Sequence, residues 1–253
     1  MNPYPTVLRR IVQAGFGVFP ILVWGLWLWS PLGFWGCVYL ALLLELLPIL
    51  GLAQLPLADD EGPFPRIPVY LSSGAIILLL GWGGLLIGTA ELGRAAMGLE
   101  APEVIPLLSW TLAAALGILA VQLAFLLGRV RFGIRETSLL HQLLPRTLPE
   151  KVVFAFLSLA AGVGEEVAFR GFAIPGLALL TGSGWGAAII SSLAFGLLHG
   201  YQGWLGVART GAMGLVLAGV FLVSGTLWPA ILAHALLDLV AGLILGDTLL
   251  REV

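Results

Sequence analysis

The sequence predicts an all-α protein, a polytopic transmembrane helical bundle of about eight spans, and three observations carry that prediction. Of its 253 residues, 59% are hydrophobic and only 10% are charged, against about 25% charged in ordinary soluble domains. So few charges could not coat a globule of this size in water. The apolar residues fall into runs near the ~20 residues that a helix needs to cross a bilayer core of about 30 Å. The Lys and Arg residues collect between and beyond those runs. The same composition excludes disorder, which needs low hydrophobicity and high net charge. A formal net charge of −2 offers no basic footprint for nucleic acid, so the expected partner is the lipid bilayer and no nucleic acid is expected.

The runs, in order, are 11–29, 33–55, 69–90, 104–128, 152–178, 184–199, 204–224 and 227–246. The first follows Arg9 and Arg10 as a signal sequence does. Its apolar stretch is longer than a signal h-region and no small-residue cleavage site follows closely, so it reads as a retained anchor. The second carries Cys37 and Glu45. A single cysteine makes neither an intramolecular disulfide nor a Cys-based zinc site, and Cys37 reads as a small buried hydrophobe. Residues 56–67 form an acidic, proline-bearing connection to the third run. The sixth run is short, which suggests a half-buried or steeply placed helix.

Residues 129–151 hold Arg129, Arg131, Arg135, Arg146 and Lys151, the strongest basic cluster, and the positive-inside rule places them in the cytoplasm. Four runs precede the cluster and four follow, so both termini, with Arg9, Arg10 and Arg251, are expected in the cytoplasm too. This segment reads either as an amphipathic piece lying on the membrane or as a solvated loop. It divides the chain into N-terminal transmembrane helices (1–128), a basic cytoplasmic loop (129–151) and a C-terminal part (152–253) that holds nearly all the intramembrane polar residues. No internal repeat is evident, which counts against a transporter built from inverted repeats.

Ionisable residues inside spans cost at least about 2.5–3.5 kcal/mol each, and function is their default explanation. The fifth run contains Gly164-Glu165-Glu166-Val167-Ala168-Phe169-Arg170. Glu166 and Arg170 stand at i and i+4 and can pair on one helix face. Glu165 points about 100° away with no partner at that spacing. Glu166 is therefore the structural carboxylate and Glu165 the reactive one. The sixth run ends Phe195-Gly196-Leu197-Leu198-His199-Gly200, with Phe195 and His199 on one face and Gly196 and Gly200 forming a GxxxG that admits a close neighbour. In the eighth, His234 and Asp238 again stand at i and i+4, and an Asp can orient a His. Each cluster has a bland alternative: charges that pin helices, a packing histidine, a polar pair that glues two helices. Converging the groups lets each satisfy another, so a shared site is the cheaper arrangement. Arg209 reads as a snorkelling side chain at a span edge, His141 as a solvated residue, and Glu45 as interhelical glue or a further lining residue.

The set has carboxylates and imidazoles but no evident hydroxyl or thiol nucleophile. It has no HExxH, no GxSxG elbow and no paired aspartates. A carboxylate beside a histidine suits activation of water, and a second imidazole suits stabilisation of an oxyanion. Together these describe hydrolysis of an acyl or peptide bond. Glu165, His199 and His234 could instead hold zinc with an open position, and the spacing leaves both open.

Glu165-Glu166-x-x-x-Arg170, Phe195-x-x-x-His199 and His234-x-x-x-Asp238, in that order, resemble the motifs of the CAAX protease and bacteriocin-processing (CPBP, or Abi) family of intramembrane proteases, which includes the type II CAAX prenyl endopeptidases. The match covers roughly residues 150–246, the family's four-helix catalytic core. The resemblance implies an intramembrane endopeptidase of a bacterial cell membrane acting on a membrane-embedded or lipid-anchored peptide. It implies that Glu165 and His199 activate water, that His234 and residue 238 face the oxyanion, and that Glu166, Arg170 and Phe195 order the site or the substrate. Asp238 departs from the asparagine of the prenyl endopeptidases. An ionised Asp cannot donate to an oxyanion, so the departure bears on CAAX-substrate chemistry more than on proteolysis. The family is described both as zinc-dependent and as glutamate-dependent, and the lack of a recognised zinc spacing favours no cofactor. The competing functions are a non-catalytic scaffold or bacteriocin-immunity protein of the same family, and a proton-coupled transporter.

Overall fold

The computed structural model describes residues 6–58, 64–134 and 137–245. Arg135, Arg251, residues 59–63 of the acidic stretch 56–67 and the end of the eighth run lie outside the described residues. Among the described residues every regular element is a helix. Helix α1 spans Thr6–Trp29, α2 Phe34–Ala41, α3 Leu47–Gln54, α4 Arg66–Glu91 and α5 Val104–Phe132. They are followed by α6 Ser138–Gln142, α7 Leu148–Glu166, α8 Ile174–Thr181, α9 Gly184–Leu198, α10 Gly203–Ser224 and α11 Trp228–Leu239. Three π segments, Leu42–Leu46, Val167–Ala173 and Val240–Ile244, join or extend these helices without breaking them.

Six continuous helical stretches are long and apolar enough to cross a membrane: Leu8–Trp29, Phe34–Leu57, Arg66–Glu91, Val104–Phe132, Leu148–Thr181 and Gly200–Ser224. The sixth and eighth apolar runs form shorter helices, Gly184–Leu198 and Trp228–Ile244. The protein is thus an integral membrane bundle in which all eight runs are helical and six are full-length. The Leu148–Thr181 stretch has 34 residues, or about 50 Å at 1.5 Å per residue. That exceeds the ~30 Å core, so this helix must tilt or project beyond it. The 15 residues of Gly184–Leu198 reach only about 22 Å, short of the ~30 Å core.

The segment read as a basic loop is largely structured. Helix α5 runs on through Arg129 and Arg131 to Phe132 and stops at Gly133, whose φ of 63° gives the left-handed cap. The start of α7 is fixed by a reciprocal capping box, with Glu150 N donating to Thr147 Oγ1 and Thr147 N donating to the Glu150 carboxylate. Between them, Arg66 Nε and Tyr70 Oη of α4 donate to the carbonyls of Leu144 and Leu143 at 3.1 and 2.8 Å. His141 lies on α6 and is half-buried.

The central helix of the bundle is the one running through α7, its π segment and α8, where Phe169, Arg170 and Phe172 are among the largest fully buried side chains. The N-terminal half packs directly on it. Tyr39 stacks edge-on against Phe172 at 4.9 Å and donates its hydroxyl to the Leu80 carbonyl at 2.6 Å. Helix α5 closes the far side with a smaller core of Ala114, Ile118, Leu217, Val220, Ala230 and Ala233. Exposed Trp27, Trp29, Phe34 and Trp35 cluster where α1 turns into α2, as expected of an aromatic belt at a membrane interface.

Candidate active site

Helices α7 and α11 cross at Gly162. A Cβ there would lie 2.7 Å from Ala235 Cβ and 2.9 Å from its backbone nitrogen, so only glycine permits the approach. That contact puts His234, the neighbour of Ala235, against the end of α7. There the adjacent carboxylates divide one imidazole between them. Glu166 Oε1 accepts from His234 Nδ1 at 2.7 Å, and Glu165 Oε2 lies 3.8 Å from His234 Nε2. The ~100° step between consecutive helical residues aims the two side chains at opposite edges of the ring. Glu165 therefore has a partner, but on another helix rather than along its own.

Glu166 Oε1 also accepts from Arg170 Nη1 at 2.8 Å, the expected i,i+4 pair, in which both side chains are essentially inaccessible. Arg170 Nη2 donates to the Gly214 carbonyl of α10 at 3.2 Å. Its guanidinium lies over the Phe195 ring at 4.4 Å, a cation–π contact strengthened by the absence of water. The sequence places Asp238 as the residue orienting His234. In the structure Glu166 holds Nδ1, and Asp238 Oδ2 stands 3.8 Å from Nε2. Nδ1 against a carboxylate is the donor, which leaves Nε2 as the nitrogen facing both Glu165 and Asp238. Asp238 is 35% exposed where Glu166 is 0%, so the site opens on the Asp238 side.

His199 caps the end of α9 and its Nδ1 is 2.8 Å from the Phe195 carbonyl. A carbonyl can only accept, so Nδ1 carries the proton and a neutral His199 presents Nε2 as an acceptor. Phe195 is the wall shared by these groups, with ring centroids 4.7 Å from His199, 6.2 Å from His234 and 5.1 Å from Phe169. The two glycines of the GxxxG serve different neighbours. Gly196 meets α10 at Gly211, and Gly200 meets the backbone of Gly51 in α3. The Gly51 backbone thereby covers the turn that follows His199.

Glu45, expected as interhelical glue or a further lining residue, stands apart. Glu45 Oε1 lies 3.3 Å from where a Gly15 Cβ would be, facing α1. Neither of its oxygens has a hydrogen-bond partner among the described residues. Arg209 is near enough to act electrostatically on Tyr201. Tyr201 itself escaped the sequence reading; its ring lies 5.6 Å from His199, and the one available signal was its place two residues after that histidine. Among the described residues, no three His, Cys, Asp or Glu side chains form a group that could hold a metal ion.

The fold and site define a class: a polytopic helical membrane protein with a buried carboxylate–imidazole–guanidinium cluster at the centre of its C-terminal half. Residues 147–240 match the family model described as type II CAAX prenyl endopeptidase Rce1-like, and this part of the chain is similar to that family. The matched stretch runs from the Thr147 cap to Val240 and contains every residue of the cluster. No curated protein and no solved structure matches the chain.

Proposed function

We propose that the protein is an intramembrane endopeptidase that hydrolyses a peptide bond in a membrane-embedded or lipid-anchored substrate, by water activated at Glu165 and His199. The family of residues 147–240 supports peptidase chemistry. The observation that carries the mechanism is the division of His234 between Glu166 at Nδ1 and Glu165 at Nε2. It leaves Glu166 neutralised by Arg170 and immobile, while Glu165 keeps its second oxygen for another partner.

In this mechanism a water enters from the Asp238 side. It donates one hydrogen bond to Glu165 and the other to His199 Nε2. As its oxygen attacks the scissile carbonyl, Glu165 takes the proton. The proton then passes through His234 Nε2 to the departing amine, and the C–N bond breaks to give a free carboxylate and a free amine. Asp238, 3.8 Å from Nε2, favours a proton on that nitrogen. Arg170 and Phe195 act behind the reacting groups; Arg170 is 1% exposed and Phe195 3%, so both position rather than touch substrate. The substrate classes are a prenylated C-terminal tail, a leader peptide or another membrane segment. The N- and C-termini are assigned to the cytoplasmic side.

The test is cleavage by purified, detergent-solubilised protein of three fluorogenic peptides: one farnesylated at a C-terminal CAAX-type tail, one leader-like, one transmembrane. Glu165→Gln and His199→Ala serve as controls. Turnover by the wild type alone supports the reading. Equal turnover by all three proteins would overturn it and favour the non-catalytic scaffold or immunity reading. Proton flux in liposomes that depends on Glu165 would favour the transporter.

A further inference from the structure

Hydrolysis at this site requires hydrogen-bond donors for the oxygen of the scissile carbonyl, and the groups described so far supply at most one, a proton on His234 Nε2. Glu165 and Asp238 are carboxylates, which accept only when ionised. A neutral His199 spends its Nδ1 proton on the Phe195 carbonyl. His234 Nδ1 is committed to Glu166, and any proton on its Nε2 faces two carboxylates at 3.8 Å. Arg170 is buried and committed to Glu166 and Gly214.

Tyr201 differs from all of these. It sits on the 3-10 turn Gly200–Gln202 directly after His199, and that turn is closed by Gln202 N donating to the His199 carbonyl at 2.9 Å. Its ring packs 5.6 Å from the His199 ring at an interplanar angle of 42°. Buried Thr210 donates to Gln202 Oε1 at 3.3 Å, which turns the amide so that Gln202 Nε2 donates to the Tyr201 hydroxyl oxygen at 3.1 Å. A phenol oxygen that is accepting from an amide directs its own proton elsewhere. The packing of the ring on His199 keeps that hydroxyl beside the site.

We propose that Tyr201 is a catalytic residue whose hydroxyl donates to the scissile carbonyl oxygen as charge develops on it, with Gln202 and Thr210 as positioning residues behind it. The proposal rests on the hydrolytic reading above. No proton is transferred in this step; the O–H bond stays intact and the hydrogen bond strengthens as the carbonyl carbon becomes tetrahedral. Gln202 polarises the phenol by donating to it, which makes the remaining O–H a better donor.

The experiment compares wild type, Glu165→Gln and Tyr201→Phe on the three fluorogenic peptides. Affinity for a phosphinate analogue of whichever peptide turns over is measured beside them. Tyr201→Phe keeps the ring against His199 and removes only the hydroxyl. The expected result is a fall in kcat of about 10²–10³-fold, as for loss of one oxyanion donor, with KM little changed. Phosphinate affinity should fall in parallel while uncleaved-peptide affinity stays. Wild-type kcat and phosphinate affinity in Tyr201→Phe, with Glu165→Gln inactive, would overturn the role of Tyr201 and leave the hydrolase standing. No turnover of any peptide by the wild type would overturn the hydrolytic reading and this one with it.

Discussion

Glu166 Oε1 lies 2.7 Å from Nδ1 of His234, a residue 68 positions further along the chain, and the same oxygen is 2.8 Å from Arg170 Nη1. One buried carboxylate oxygen thereby ties together α7, its π segment and α11, and through Arg170 it reaches Gly214 on α10. Glu165, one residue earlier, makes only a longer approach to His234 Nε2 at 3.8 Å. Two identical side chains at adjacent positions thus do different work, and substitution separates them.

Glu166→Gln leaves Arg170 buried without its counter-charge. Breaking a buried pair in this way costs about 3–5 kcal/mol, so the variant should melt lower by roughly 10 °C. Glu165→Gln preserves size and loosens only the longer 3.8 Å approach to His234, and it should melt within a few degrees of the wild type while turnover falls at least about 10²-fold. Thermal melts of detergent-solubilised protein read the contrast. Equal destabilisation by the two variants would contradict the division of roles.

Much of this was legible in sequence, for physical reasons that can be named. The spans are visible because lipid demands long apolar runs, and the Glu166–Arg170 pair is visible because i,i+4 spacing fixes a shared helix face. The three clusters were expected to converge because separate burial would cost more, and the structure does bring Glu165, Glu166, Arg170, Phe195, His199, His234 and Asp238 together. Contacts between helices were not legible. His234 was paired along its own helix with Asp238, whereas Glu166 from α7 takes its Nδ1. That choice depends on how closely α7 and α11 approach at Gly162, and no local pattern encodes it. Tyr201 was missed because it lies in a 3-10 turn with no periodicity to flag it. For the 138–150 segment the sequence admits both an amphipathic piece and a solvated loop, because its order comes from hydrogen bonds to Arg66 and Tyr70 on α4.

Gly162 is the second point of test. Because a Cβ at this position would lie 2.7 Å from Ala235 Cβ, Gly162→Val must push α7 from α11. Overpacking of this kind costs about 1–3 kcal/mol. Displacing His234 from Glu165 by even 1 Å should reduce turnover by about 10²-fold. Gly17, with nothing near its Cβ position, is the control: Gly17→Val should leave turnover unchanged. A Gly162→Val variant as active as the control would show that the α7–α11 spacing does not set the site.

Metal dependence offers a third. No group of three His, Cys, Asp or Glu side chains among the described residues could hold a metal ion, and the proposed mechanism activates water with protein groups. Turnover should therefore survive 1,10-phenanthroline, and protein purified through it should hold less than one equivalent of zinc by elemental analysis. Loss of turnover on chelation, restored by added zinc, would require the site to rearrange around Glu165, His199 and His234.

Glu45 gives the last prediction, and it concerns stability rather than chemistry. Its two carboxylate oxygens are shielded and have no hydrogen-bond partner among the described residues, in a π segment facing Gly15 of α1. A carboxyl group held without a partner in an apolar setting is a net cost to the folded state. Replacing it with an apolar group of similar volume removes that cost. Glu45→Leu should therefore raise the melting temperature of the solubilised protein by a few degrees, since removing even ~1 kcal/mol of such a cost shifts a protein of this size by about 2–4 °C. Its turnover should match the wild type, because Glu45 faces α1 and not the cluster around His234. If Glu45→Leu instead lost activity while keeping its stability, the carboxylate would have to reach the site through a movement of α1.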